Sequence, residues 1–258
     1  MIPRVIHYCW FGRTTKPDSV EKCIESWKRY CPNFEVIEWN EDNYDINKNR
    51  YMREAYERKK WSFVSDYARL DIMFNHGGIY LDTDVEILRP IDELLEHDGF
   101  MGFESAEYVA IGLGFGACPH NAIIGEMMNQ YDDLKFINED GSFNLMPLPK
   151  YSTRVLLEHG LVQNNEQQSI EGIIIYPTEY FCPLNFQNGK TSITDHTFSI
   201  HWYDASWFSA DRQYELRLKW KFNKMMPEKP AYYLARTIAL MKYHGFRSVC
   251  KKMCEKLR

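Results

Sequence analysis

Short apolar runs in this chain alternate with segments whose apolar positions recur every three or four residues, a pattern that predicts an α/β protein. Val5 to Trp10 is a mainly apolar run that predicts a buried strand, and Gly12 breaks it. Asp18 then stands as a helix cap before Val20, Cys23, Ile24, Trp27, Tyr30 and Cys31, spaced for one helical face, with Pro32 as the stop. Phe34 to Trp39 predicts a second strand, followed by a polar loop and a charged helix over about 51–60. Ser62 to Asn75 predicts a further helix, with Phe63, Tyr67, Leu70 and Phe74 near helical spacing and Gly77-Gly78 ending it. Ile79 to Leu81 comes next as a short strand that delivers the chain to Asp82. Further strands are expected near 99–104, 109–116, 172–176 and 197–203, and helices near 121–134 and 151–159. The order opens as a doubly wound sheet with one main domain.

Composition narrows the class. Hydrophobic residues at 45% and charged residues at 26% fit a folded globular chain rather than a disordered one. Seven cysteines, an odd number without a Cys-x-x-Cys pair, predict reduced and mostly buried thiols. No run of about 18 apolar residues occurs, and Met1 to His7 leads into strand sequence without the parts of a signal peptide, so a cytoplasmic location is expected. Charge is uneven. Residues 212–258 carry 13 Lys or Arg against three Glu, or +10, within a total of −5. This places a boundary near residue 211, between a domain of 1–211 and a basic helical extension of 212–258. The extension can lie on anionic lipid headgroups or pack on the acidic body. Nucleic acid is not expected, because no binding motif accompanies the charge.

The chemistry concentrates at Asp82-Thr83-Asp84, two carboxylates at the end of a strand, where open α/β sheets place ligands. Such a pair suits Mg²⁺ or Mn²⁺, which take oxygen ligands and share their shells with water and substrate phosphates. Asp66 and Arg69 lie at i, i+3 on the preceding helix, where a carboxylate can accept from ribose hydroxyls and a guanidinium can hold a phosphate or sugar oxygen. An intrahelical ion pair is their ordinary structural reading. Trp10 can face a cleft and stack on a base, or serve as core. His201 can complete a metal shell, while Ser206 and Trp207 can donate to a diphosphate. The ordinary reading there is a buried strand with a satisfied histidine. Gly112-x-Gly114-x-Gly116 lacks the spacing of a dinucleotide loop and reads as a strand of small residues.

Ile2-Pro3 through Gly12, Phe63-Val64-Ser65-Asp66-Tyr67-Ala68-Arg69, Gly77 through Val85 and His201 through Trp207 together resemble glycosyltransferase family 32, the Asp-x-Asp sugar transferases of capsular and surface-polysaccharide synthesis. The central block is also similar to the catalytic domain of clostridial glucosylating toxins. The resemblance implies a GT-A type fold, a mixed and mainly parallel sheet flanked by helices. It also implies a nucleotide-diphosphate-sugar donor, a saccharide or lipid-linked saccharide acceptor, Mn²⁺ or Mg²⁺, and retention at the anomeric carbon. By motif position, Trp10 would stack on the base, and Asp66 and Arg69 would meet the ribose and donor sugar. Tyr80 and Asp82 would line the donor site, Asp84 would bind the metal directly and Asp82 through water, and Ser206 and Trp207 would reach the diphosphate as the His201 segment closes. Asp82, Asp84 and Arg69 are thus the expected catalytic set. The chain departs from the family at Leu148-Pro149-Lys150, where many members have Gly-Pro.

The expected function is therefore metal-dependent, retaining transfer of a hexose from a UDP-sugar, or GDP-mannose, to a hydroxyl of a growing polysaccharide. The alternative is a catalytically inactive nucleotide-sugar binding protein, which donor hydrolysis would distinguish. An aspartyl-phosphate phosphatase also uses paired aspartates after a strand, but its motif continues with Thr or Val where this chain has Glu86.

Overall fold

The structure is a computed structural model that describes residues 1–205 and 208–245. The chain divides into two compact units: Met1–Pro183 with Ile193–Trp202, and Leu184–Ser192 with Tyr203–Arg258. In the first, the elements run β1 (Val5–Cys9), α1 (Asp18–Tyr30), β2 (Glu35–Trp39), α2 (Arg50–Glu57), α3 (Trp61–His76), β3 (Gly78–Tyr80), β4 (Val85–Ile87), β5 (Gly99–Gly102), β6 (Phe115–Ala117), α4 (Ala122–Asn129), α5 (Leu148–Glu158), β7 (Gln168–Ile170), β8 (Ile173–Tyr176), α6 (Thr178–Phe181) and β9 (Ser199–His201). Seven strands form one sheet in the order β2-β1-β3-β6-β5-β8-β7, while β4 and β9 form a separate ribbon. Five of the seven share a direction and only β6 and β7 oppose it, so the sheet is mixed, mainly parallel and flanked by helices, the α/β class that the sequence predicts.

Local chemistry accounts for the element ends. Asp18 is the first residue of α1 rather than its cap, because Pro17 holds the extended cap position; Asp18 and Glu21 in the first turn, and Lys28 and Arg29 in the last, complement the helix dipole. Asn49 and Asn121 cap α2 and α4 by accepting from the amides of Met52 and Ile124. Helix α3 is buried from Phe63 to Met73, apart from half-buried Ser65, and carries the charged Asp66, Arg69 and Asp71 into the interior among its apolar residues, which makes it the central helix of the core. It reverses directly into β3 through Gly77 and Gly78, both at positive φ. A Cβ at Gly77 would stand 2.6 Å from Pro119 Cδ, and one at Gly78 2.7 Å from the Val5 carbonyl, so only glycine allows this reversal against β1.

The expected strand over 109–116 is divided: Ile111–Leu113 make a 3-10 turn and only Phe115–Ala117 pair in the sheet. Gly114, at φ 108°, makes the break. Three-residue β4 and β7 carry too little periodicity to be predicted.

In the second unit, α7 (Ala210–Asn223) and α8 (Glu228–His244) pack together, with Ala231, Ala235 and Ala239 forming the buried row of α8. Trp220 ties α7 to the 184–192 segment by donating to the Phe186 carbonyl at 2.9 Å. No described helix is long and apolar enough to cross a membrane.

Candidate active site

Strands β1 and β3 run parallel with His7 opposite Tyr80, so Trp10 and Asp82 leave the sheet at the same carboxyl edge. The Leu81 amide still bonds to the His7 carbonyl at 3.0 Å; the chain then turns, closed by Val85 N–H donating to Asp82 C=O at 3.0 Å. Helix α1 fixes the strand beyond this turn. The Trp27 indole donates to the Val85 carbonyl at 2.7 Å, and Ser26 Oγ accepts from the Ile87 amide at 2.9 Å. Held there, β4 pairs antiparallel with β9, placing Val85 opposite His201 and the Trp202 amide on the Asp84 carbonyl at 2.9 Å.

This ribbon brings distant residues together. His201 Nε2 lies 3.0 Å from Asp84 Oδ1, and one ligand atom from each of Asp82, Asp84 and His201 lies within 4.8 Å of the others. Beside them Arg69 spans two carboxylates, with Nη2 3.2 Å from Asp66 Oδ1 and Nη1 3.2 Å from Asp82 Oδ2. Its Nε and Nη2 also donate to the carbonyl and hydroxyl of Ser65. The i, i+3 ion pair that the spacing predicts is thus present, and it extends to the Asp-x-Asp motif. Tyr80 is buried with its ring 5.1 Å from the Arg69 guanidinium, and its hydroxyl meets the Cys9 thiol, which burial pushes up to about 12.

Three carboxylates meet one guanidinium and one imidazole in a buried setting, Arg69 on Asp66 and Asp82 and His201 on Asp84. Burial pushes Asp66 up to about 7 against the pull of Arg69. Burial also raises Asp82, with Arg69 opposing and Asp84 adding to the rise. For His201, burial favours the neutral ring, but the Asp84 carboxylate outweighs it and the net shift is upward. Two carboxylates and an imidazole with converging atoms fit a hard divalent cation such as Mg²⁺ or Mn²⁺.

Gly112 belongs to this site rather than to the strand its sequence pattern predicts. A Cβ there would stand 2.7 Å from Asp82 Oδ2 and 3.3 Å from Arg69 Nη1, so the 3-10 turn packs its backbone directly on the pair. Trp10 is half-buried, its indole donates to the Thr14 carbonyl at 2.7 Å, and the Lys16 ammonium lies 5.9 Å from its ring. Ser206 and Trp207 lie outside the described residues.

The family model described as "glycosyltransferase sugar-binding region containing DXD motif" matches residues 17–101, the span that holds Asp66, Arg69, Asp82 and Asp84. This chain carries a DXD glycosyltransferase region. The chain is also similar to the human alpha-1,4-N-acetylglucosaminyltransferase, 36% identical over 78 residues that cover 30% of this chain and 22% of that one. A longer similarity, 28% over 214 residues, is to inositol phosphoceramide mannosyltransferase 1 of Schizosaccharomyces pombe, covering 78% of this chain and 62% of the relative. The chain therefore spans less than two thirds of either. Among solved structures it is similar to a glycosyltransferase involved in the glycosylation of the major capsid of PBCV-1, with 13% identity, a TM-score of 0.45, and 83% of this chain and 100% of that one covered. The DXD region stops well before His201, which β9 supplies from outside it.

Proposed function

We propose that this protein is a metal-dependent, retaining glycosyltransferase of GT-A type that moves a hexose from a nucleotide-diphosphate sugar, a UDP-sugar first and GDP-mannose second, to a hydroxyl of a growing surface or capsular polysaccharide. The observation that carries the reading is the convergence of Asp82 and Asp84, inside the DXD region, with His201, far beyond it in sequence, within 4.8 Å of one another and beside Arg69. Mn²⁺ or Mg²⁺ held by these three residues supplies a Lewis acid for the departing diphosphate.

The protein's own residues do the rest. Arg69 fixes the Asp66 and Asp82 carboxylates relative to one another, and Tyr80 supports Arg69 through its ring. Asp66 accepts hydroxyls of the ribose and donor sugar with the oxygen that Arg69 leaves available, and Trp10 stacks on the base. Ser206 and Trp207 donate to the diphosphate. The acceptor hydroxyl attacks on the face the diphosphate leaves, and the leaving phosphate takes the proton. A trapped glycosyl-enzyme adduct would overturn that route. Donor chemistry belongs to residues 1–211, and the basic residues 212–258 hold the protein at the inner, cytoplasmic face of a membrane carrying lipid-linked acceptors.

The test is a panel of nucleotide sugars with Mn²⁺, Mg²⁺ or EDTA, measuring release of free nucleoside diphosphate by wild type and Asp84→Ala. Metal-dependent release from one donor, lost in the variant, is the expected result. No release and no metal-dependent donor binding would refute the transferase reading.

A further inference from the structure

The face of α8 opposite its alanine row exposes large apolar side chains. Successive helical residues advance about 100°, which places Pro230, Tyr233, Leu234, Thr237, Met241 and the terminal His244 in one arc of about 100°, roughly opposite Ala231, Ala235 and Ala239. No Lys, Arg, Asp or Glu falls within that arc. Tyr233 is 54% exposed, Leu234 40% and Met241 43%, and Met225 in the turn before α8 is 77% exposed. A surface helix of a soluble domain normally turns charge outward, so an apolar outer stripe above a small-residue inner row is an inversion.

The surrounding charge selects the occupant. Residues 210–244 hold eight Lys or Arg against three acids, Asp211, Glu215 and Glu228. Each acid is already paired within the unit: Asp211 with His244, Glu215 with Arg212 and Arg236, Glu228 with Lys219. Lys221 and Lys229 are exposed and have no ion-pair partner among the described residues, and residues 246–258 add five Lys or Arg against one Glu in the sequence. An apolar stripe with Lys229 beside it, on a unit rich in positive charge, complements a surface that is apolar beneath and anionic above.

From this we infer that α8 is an in-plane anchor, lying in the headgroup boundary of an anionic bilayer with Tyr233, Leu234 and Met241 inserted and the flanking lysines on the phosphates. The inference rests on the proposed membrane location and specifies the surface that provides it. The experiment is flotation of the full chain with phosphatidylcholine vesicles, with or without about a third of phosphatidylglycerol. Wild type should float with the anionic vesicles and not with the neutral ones. The combined Tyr233→Ser, Leu234→Ser and Met241→Ser variant should bind at least tenfold more weakly while releasing nucleoside diphosphate at the wild-type rate. Lys221→Glu with Lys229→Glu, which leaves the apolar stripe intact, should also weaken binding. Equal flotation of wild type and the serine variant, equal binding to neutral vesicles, or concentration-dependent self-association abolished by the serines would each overturn the inference, the last assigning the face to a second copy. Vesicle binding without donor turnover would instead count against the transferase reading alone.

Discussion

Gly112→Ala should damage donor turnover while leaving the fold intact. The new Cβ would stand 2.7 Å from Asp82 Oδ2, a distance real Cβ atoms essentially never show, so the carboxylate must retreat. Reaching ordinary contact at 3.4 Å needs a shift of about 0.7 Å in a packed setting. The Arg69 Nη1 to Asp82 Oδ2 bond, already 3.2 Å long, cannot adjust with it, because Ser65 and Asp66 hold the guanidinium. A hydrogen bond between charged groups contributes about 1.5–3 kcal/mol. Losing it from the reacting arrangement should lower kcat/KM by about 10- to 100-fold. The assay is metal-dependent nucleoside diphosphate release, run beside thermal unfolding to confirm that the variant folds. An Arg69→Lys background adds a control: if both changes act through the same bond, Gly112→Ala should cost little more there. A folded Gly112→Ala protein within threefold of wild-type kcat/KM would refute the claim that the Arg69 and Asp82 geometry matters.

Three further outcomes are expected. His7 accepts from the Trp39 indole at Nδ1 and donates from Nε2 to the Gly77 carbonyl, and its pKa is lowered to about 4, first by burial, with the Gly77 bond opposing. The unfolded chain therefore binds a proton near pH 6.5 that the folded one refuses. Stability should fall as pH drops from about 6.5 to 4 and level off below, with about 2 kcal/mol lost by pH 5. Urea unfolding of wild type and His7→Asn at pH 7 and 5 checks this, and an equal pH dependence in both would contradict it. His201→Gln should weaken Mn²⁺ binding by roughly tenfold or more, read by calorimetry, and unchanged affinity would remove His201 from the cation site. Glu54 Oε2 accepts from the buried Phe136 amide at 2.9 Å and from Ile137 at 3.0 Å, so Glu54→Ala should cost about 2–3 kcal/mol in urea unfolding, and a neutral result would mean water replaces the carboxylate.

The parts of the site that are legible in the sequence are those whose partners lie close along the chain. Asp66 and Arg69 share a helical face, Gly77-Gly78 stops α3, and Ile79 to Leu81 delivers Asp82 to the sheet edge, all within about twenty residues. Long-range pairing hides the rest. Nothing in Val85-Glu86-Ile87 announces a strand, because its two neighbours, Trp27 and β9, are supplied from elsewhere in the chain. Gly112 has the sequence surroundings of a strand residue, and its reason for being glycine is the Asp82 carboxylate, thirty positions away. His201 stands out as a candidate by its residue type and motif neighbours, whereas its pairing with Asp84 exists only through the ribbon.

That ribbon makes the candidate cation site a late event in the life of the polypeptide. A ribosome that has released residues 17–101 has produced both aspartates and the arginine, yet the strand carrying the imidazole has still to be translated. Until β9 arrives, β4 is an unpaired edge and the acidic cluster lacks one of its three donors. A nascent or truncated chain ending before residue 199 would hold the recognisable motif with only two of the three candidate ligands.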